Sequence, residues 1–140
     1  MTSPNAAILI IGDEILSGRT RDVNVQQIAQ FLAQYGVQVS EVRIVSDVQD
    51  DIVDAVNALR ARYSYVFTTG GIGPTHDDIT ADAIAAAFGV PIGHDPVVMA
   101  MLQARYDEMG TEFTPARQRM ARLPEGALPI ANPVSGAPGF

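Results

Sequence analysis

The sequence predicts a three-layer α/β/α domain built on a mostly parallel sheet, and three observations carry that expectation. Apolar runs of strand length alternate with stretches of helical period in the order strand, helix, strand, helix, strand. Glycines stand where strands should stop and where helices should end. With 140 residues, 47% hydrophobic and 18% charged, the chain has the composition of a folded core, and no repeat or linker divides it. Residues 1–140 are therefore expected to form a single domain.

Each element follows from local pattern. Ala6–Ile11 is a continuous apolar run closed by Gly12, the mark of a buried strand. A helix is expected from Asp22 or Asn24, with Val25, Ile28, Ala29 and Leu32 on one face and Gly36 ending it. Val37–Val45 alternates as a strand whose parity slips near Ser40–Glu41, which predicts a bulge. Ser46 and Gln49 have capping-box spacing ahead of a helix carrying Ile52, Val53, Val56 and Leu59. Tyr65–Thr69 reads as a third strand stopped by Gly70, and Ile79–Phe88 as an alanine-rich helix, followed by extended Val90–Ile92. Pro96 behind Asp95 opens a helix whose expected stripe is Val97, Met101, Leu102 and Tyr106. A second proline-started helix is expected over Pro115–Leu123, then a strand at Ala127–Ala131 and a glycine- and proline-rich tail over Asn132–Phe140. The chain stops in that loop without a closing element, which leads to the expectation that the native protein continues beyond Phe140.

Charge and composition narrow the partners. The net charge is −7, and all nine basic residues are arginine, so neither a nucleic-acid backbone nor an anionic membrane is the expected partner. No cysteine is present, which removes disulfides and thiolate metal sites. No apolar run approaches the ~20 residues that span a bilayer, so a soluble, cytoplasmic protein is expected.

The chemistry is expected in two loops that leave the carboxyl ends of strands, where ligands of parallel sheets collect. If the first and third strands are neighbours, the loops face each other. In Gly70–Asp78, Gly70, Gly71 and Gly73 let backbone amides approach an anion, and the following helix start adds its positive dipole end. The same residues also suit a glycine turn capped by aspartates. Asp77 and Asp78 beside such a cradle would repel a phosphate unless a divalent cation lay between them. In the first loop, Asp13 and Glu14 could complete a metal site or orient a ligand ring, Ser17 adds a hydroxyl, and a solvated turn is the plain alternative. Asp47 ends the second strand and, taken alone, reads as a helix cap. His76 and His94 read as surface residues, and the methionines at 99, 101, 109 and 120 as helix packing.

At these residues a family resemblance enters. Gly12-Asp13-Glu14-Ile15-Leu16-Ser17-Gly18 with Asp22 and Asn24, Val45-Ser46-Asp47, and Thr69 through Thr80 resemble, in order, the motifs of CinA-type competence/damage-inducible proteins. Pro133–Gly139 is similar to a later loop of that family, whose closing strand and Gly-Val-Pro segment are missing here. The resemblance implies a molybdopterin-binding domain of the MoaB/Mog type, with a five-stranded mixed sheet holding one antiparallel strand. Related MoaB, MogA and gephyrin-type domains bind molybdopterin, and some adenylylate it with Mg-ATP. CinA-type domains are associated with metal-dependent hydrolysis of ADP-ribose-like pyrophosphates.

Site roles follow from the loops and the resemblance together. Gly70, Gly71, Gly73, Pro74 and Thr75, with Gly12, Asp13, Glu14 and Ser17, are the expected ligand and phosphate positions. Asp78 and Asp47 are the expected catalytic carboxylates, and Asp77 and Asp78 the expected holders of Mg or Co. Valine at Gly71 or Gly73 is expected to weaken phosphate binding in a domain that still folds. Three functions stay open: a phosphorylated pterin or nucleotide binder in cofactor assembly, a metal-dependent pyrophosphatase, and a non-enzymatic ligand-binding module. A homo-oligomer is expected, with the alanines and methionines of the later helices packing between subunits.

Overall fold

The computed structural model describes residues 3–140 and is an α/β protein. Its residues cluster into two compact units, one ending at Gly70 and the other spanning Gly71–Phe140. Each is described by itself.

The first unit runs β1 (Asn5–Ile11), α1 (Asp13–Leu16), α2 (Asn24–Ala33), β2 (Gln38–Val45), α3 (Gln49–Arg60) and β3 (Tyr65–Thr69). All three strands are parallel in the order β2-β1-β3, so the first and third strands are neighbours as expected. β1 is central and buried along Ala6–Ile11, which is why it is apolar without alternation. The bulge is present: Ala6 pairs with Val39 and Ala7 with Glu41, leaving Ser40 as the extra residue. α2 puts Leu32 in the core, and Asp22 caps it by accepting from the Val25 N–H at 3.0 Å. α3 buries Ile52, Ala55, Val56 and Leu59, one stripe at helical period.

Two local expectations of this unit are corrected. The 12–18 segment is a single helical turn, α1, not an open loop. The Ser46–Gln49 capping box does not form, because β2 continues to Val45 and Val48 takes the cap position. The Ser46 hydroxyl donates instead to Asp51 Oδ2 at 3.0 Å. Asp50 and Asp51 in the first turn then complement the helix dipole.

The second unit holds α4 (Thr80–Phe88), β4 (Ile92–His94), α5 (Pro96–Met109), α6 (Pro115–Gln118), a 3-10 turn (Arg119–Ala121) and β5 (Arg122–Pro124). β4 and β5 form an antiparallel ribbon of their own. The five strands therefore lie in two sheets, where the resemblance implies one. The core joins Val98 and Leu102 of α5 to Phe113, Met120, Ala121, Leu123 and Ala137.

Differences from sequence here have two causes, tertiary packing and the prolines that bound the short strands. The expected helix over Pro115–Leu123 breaks at Gln118, because Leu123 is drawn into pairing with Gly93 and into the core. The buried stripe of α5 is Val98 and Leu102, while Val97 and Met101 face solvent at 62% and 44% exposure. The expected strand at Ala127–Ala131 is reduced to one bridge between Ile130 and Gly139, since Pro129 has no N–H to donate to a ladder. Likewise β4 begins at Ile92, after Pro91, and not at Val90.

Candidate functional site

In the first unit the sheet order places the carboxyl ends of all three strands side by side. Gly70 leaves β3 at φ +94°, and a Cβ there would collide with the Ile11 carbonyl oxygen. Only glycine meets both conditions. Gly12 leaves β1 with its N–H donating to the Val45 carbonyl at 3.0 Å, so that amide is committed to the sheet and cannot serve a ligand.

Asp13 and Asp47 are brought together. The Asp13 N–H donates to Asp47 Oδ2 at 3.1 Å, and the Asp47 N–H donates to Asp13 Oδ1 at 3.2 Å. This exchange fixes two carboxylates beyond β1 and β2, and Asp47 is no cap of α3. Glu14 folds back on Gly12, with its Oε1 2.6 Å from where a Cβ would lie. The Ser17 hydroxyl donates to the Glu14 carbonyl at 3.3 Å and accepts from Arg19 Nε at 3.2 Å, so it closes the turn.

In the second unit the glycine loop is held from within. The Thr80 N–H donates to the Gly71 carbonyl at 3.1 Å, and Thr80 is fully buried. Gly71 has φ +68°, and a Cβ on it would strike Thr80 Oγ1. Asp78 is a turn clasp: its Oδ2 accepts from the Thr75 N–H at 2.9 Å and from Thr75 Oγ1 at 2.8 Å. The Asp78 N–H returns a bond to the Thr75 carbonyl at 3.1 Å. Thr75 thus gives its N–H to the protein, and Pro74 has none. That leaves the amides of Gly71, Ile72 and Gly73 without an acceptor among the described residues.

Two arginines that sequence reasoning did not single out complete this cleft. Arg119 donates from Nε to the Thr75 carbonyl at 3.2 Å and from Nη2 to the Asp78 carbonyl at 3.3 Å. Arg122 pairs with Asp82 at 2.6 Å. Nothing in the sequence separates these arginines from solvated ones, because their partners lie about 40 residues away in the chain. The space lined by Gly71, Gly73, Asp78, Arg119, Arg122 and Phe140 is about 20 Å³, enough for one water.

The residues were tested against a resident metal and do not make one. Asp77 is 80% exposed and pairs at 3.3 Å with His76, which is 91% exposed. One oxygen of Asp78 is engaged by Thr75. Among the described residues no group of three or more His, Asp or Glu could hold an ion.

Comparison with known proteins follows this geometry. The sequence model of a family described as a probable molybdopterin binding domain matches residues 7–140. The chain belongs to that family. A CinA-like protein from Myxococcus xanthus is 38% identical over 131 residues, 94% of this chain and 31% of that protein. A protein from Caldivirga maquilingensis is 39% identical over 134 residues, 96% of this chain and 52% of its own length. The chain thus spans about half or less of the curated relatives it matches. Among solved structures, CinA from Thermoplasma acidophilum matches with TM-score 0.89 and 36% identity, covering 98% of this chain and 80% of that one. A tungsten cofactor synthesizing MoaB from Pyrococcus furiosus shares the fold, with TM-score 0.57 and 22% identity over 79% of this chain and 67% of that chain. This is a CinA-type member of that family, with the fold of MoaB.

Proposed function

We propose that this domain binds the phosphate group of a phosphorylated pterin or nucleotide over the Gly71–Gly73 amides. The observation that carries the reading is the set of three loop amides left without an acceptor among the described residues. Successive backbone N–H groups in a glycine loop form an anion-binding concavity. The family's description supports a pterin ligand. The cleft is too small to enclose a pterin or a nucleotide, so the body of the ligand lies outside it.

A divalent ion, Mg or Co, enters this reading as part of the ligand. Mg²⁺ is commonly held by one or two carboxylates together with substrate phosphates. Asp78 is the residue at this cleft that would receive it, with Asp77 beside it in sequence. In the first unit, Asp47 locked to Asp13 beyond β1 and β2 favours a second reading, metal-dependent cleavage of an ADP-ribose-type pyrophosphate. Incubation with ADP-ribose, and separately with molybdopterin and ATP, with and without Mg²⁺ or Co²⁺, separates the readings by product. Binding without turnover would leave a ligand-binding module. A lack of binding to either compound would remove the site assignment.

A further inference from the structure

Asp78 poses an electrostatic problem for the phosphate reading: a carboxylate lines the cleft whose amides are meant to hold an anion. At contact distance two like charges repel, and more strongly near a protein surface than in bulk water. A divalent cation would resolve this, and so would a fixed cation of the protein. Arg122 is not that cation, since Asp82 already neutralises it at 2.6 Å. Arg119 is placed differently. Its guanidinium donates only to two backbone carbonyls, of Thr75 and Asp78, and no carboxylate pairs with it among the described residues.

The geometry points to Arg119 as the residue that lets an oxyanion sit beside Asp78 without a divalent ion, an inference that rests on the phosphate reading above. Two of the five guanidinium N–H donors fasten the turn that Asp78 clasps. The other three donors have no acceptor among the described residues, and Arg119 lines a cleft whose other arginine is already paired. Carbonyl acceptors orient a guanidinium without cancelling its charge, whereas a carboxylate would cancel it. Arginine at this position thus combines a positioning task, the fixed turn, with an anion-binding one.

The test is isothermal titration of the full chain with inorganic pyrophosphate, in EDTA and in Mg²⁺, at low and high salt. The wild-type chain is expected to bind in EDTA, with affinity falling as salt rises. Arg119→Gln should lose roughly tenfold or more of that affinity in EDTA, the scale of one charge-assisted contact, and should regain part of it in Mg²⁺. Arg119→Lys, which keeps the charge and gives up the fork, should stay closer to wild type. Equal affinity of Arg119→Gln and wild type in EDTA would overturn the inference. So would a wild-type chain that binds pyrophosphate only with Mg²⁺, a result that needs no variant and leaves the phosphate reading standing. No binding under either condition would overturn the phosphate reading itself.

Discussion

At the residue scale, the carboxylate of Asp78 has a structural task and a proposed chemical one, and a single substitution separates them. Asparagine retains an oxygen that can accept from the Thr75 N–H and hydroxyl, so Asp78→Asn is expected to unfold within about 1 kcal/mol of wild type. If the charge serves the reaction, turnover should fall by roughly two to three orders of magnitude. Native stability with native turnover would reduce Asp78 to a clasp. The glycines separate in the same way. Valine at Gly71 was expected from sequence to spare the fold, but its φ of +68° and the Thr80 hydroxyl rule that out. Gly71→Val should cost more than about 1 kcal/mol in denaturant unfolding. Gly73 has no positive φ, so Gly73→Ala spares the backbone, although its Cβ would press on Asp78 Oδ2 at 2.8 Å and move the side chain that clasps Thr75. The substitution should weaken pyrophosphate binding in calorimetry while the chain stays folded.

At the scale of elements, two features lend themselves to measurement. α5 begins at Pro96 with Asp95 accepting from the Val98 N–H at 3.0 Å, so Asp95→Ala should cost about 1 kcal/mol, read from urea unfolding. Past its bulge, β2 carries Glu41, which accepts from Arg43 Nε and, at 2.7 Å, from the Tyr63 hydroxyl, with Arg62 at 3.8 Å. The bond from Arg43 above all, then that from Tyr63, holds the Glu41 carboxyl below its ordinary 4.5. The bond to Glu41 first, and then desolvation, push the Tyr63 phenol above its ordinary 10.0. The depressed carboxyl stabilises the fold above 4.5 and stops doing so as pH falls through its folded value. The raised phenol contributes below 10.0 and is lost as pH rises through its own folded value. Glu41→Gln should therefore melt at a lower temperature than wild type at neutral pH, and the gap should narrow in acid. A constant gap would show that the charge of Glu41 is not what matters.

At the scale of the molecule, we expect self-association. α5 sends Val98 and Leu102 inward yet exposes Val97, Met101 and Met109, at 62%, 44% and 59%. Met101 and Met109 are among the methionines expected from sequence to pack between subunits, and burying them with Val97 would remove apolar area from water. Light scattering across micromolar concentrations should report more than a monomer, and a monomer throughout would dismiss the idea. Among the described residues no helix is long and apolar enough to cross a membrane.

Local pattern alone determined the α/β class, the three parallel strands, the bulge near Ser40 and the start of α2 near Asn24. In each case the signal lies within a few residues, in apolar period, glycine stops and side-chain-to-amide reach. The motif of the glycine loop was equally legible, because glycine tolerates the positive φ that Gly70 and Gly71 adopt there. Only the tertiary structure decided which groups beyond β1 and β2 are engaged: Gly12 spends its amide on Val45, and Asp13 and Asp47 exchange bonds across 34 residues. It also supplied Arg119 and Arg122, and it ended the Pro115 helix early to bury Leu123. The physical reason is range. Propensity and capping act over one helical turn, whereas a charge or a buried side chain finds partners wherever the fold brings them, and no local pattern names those partners.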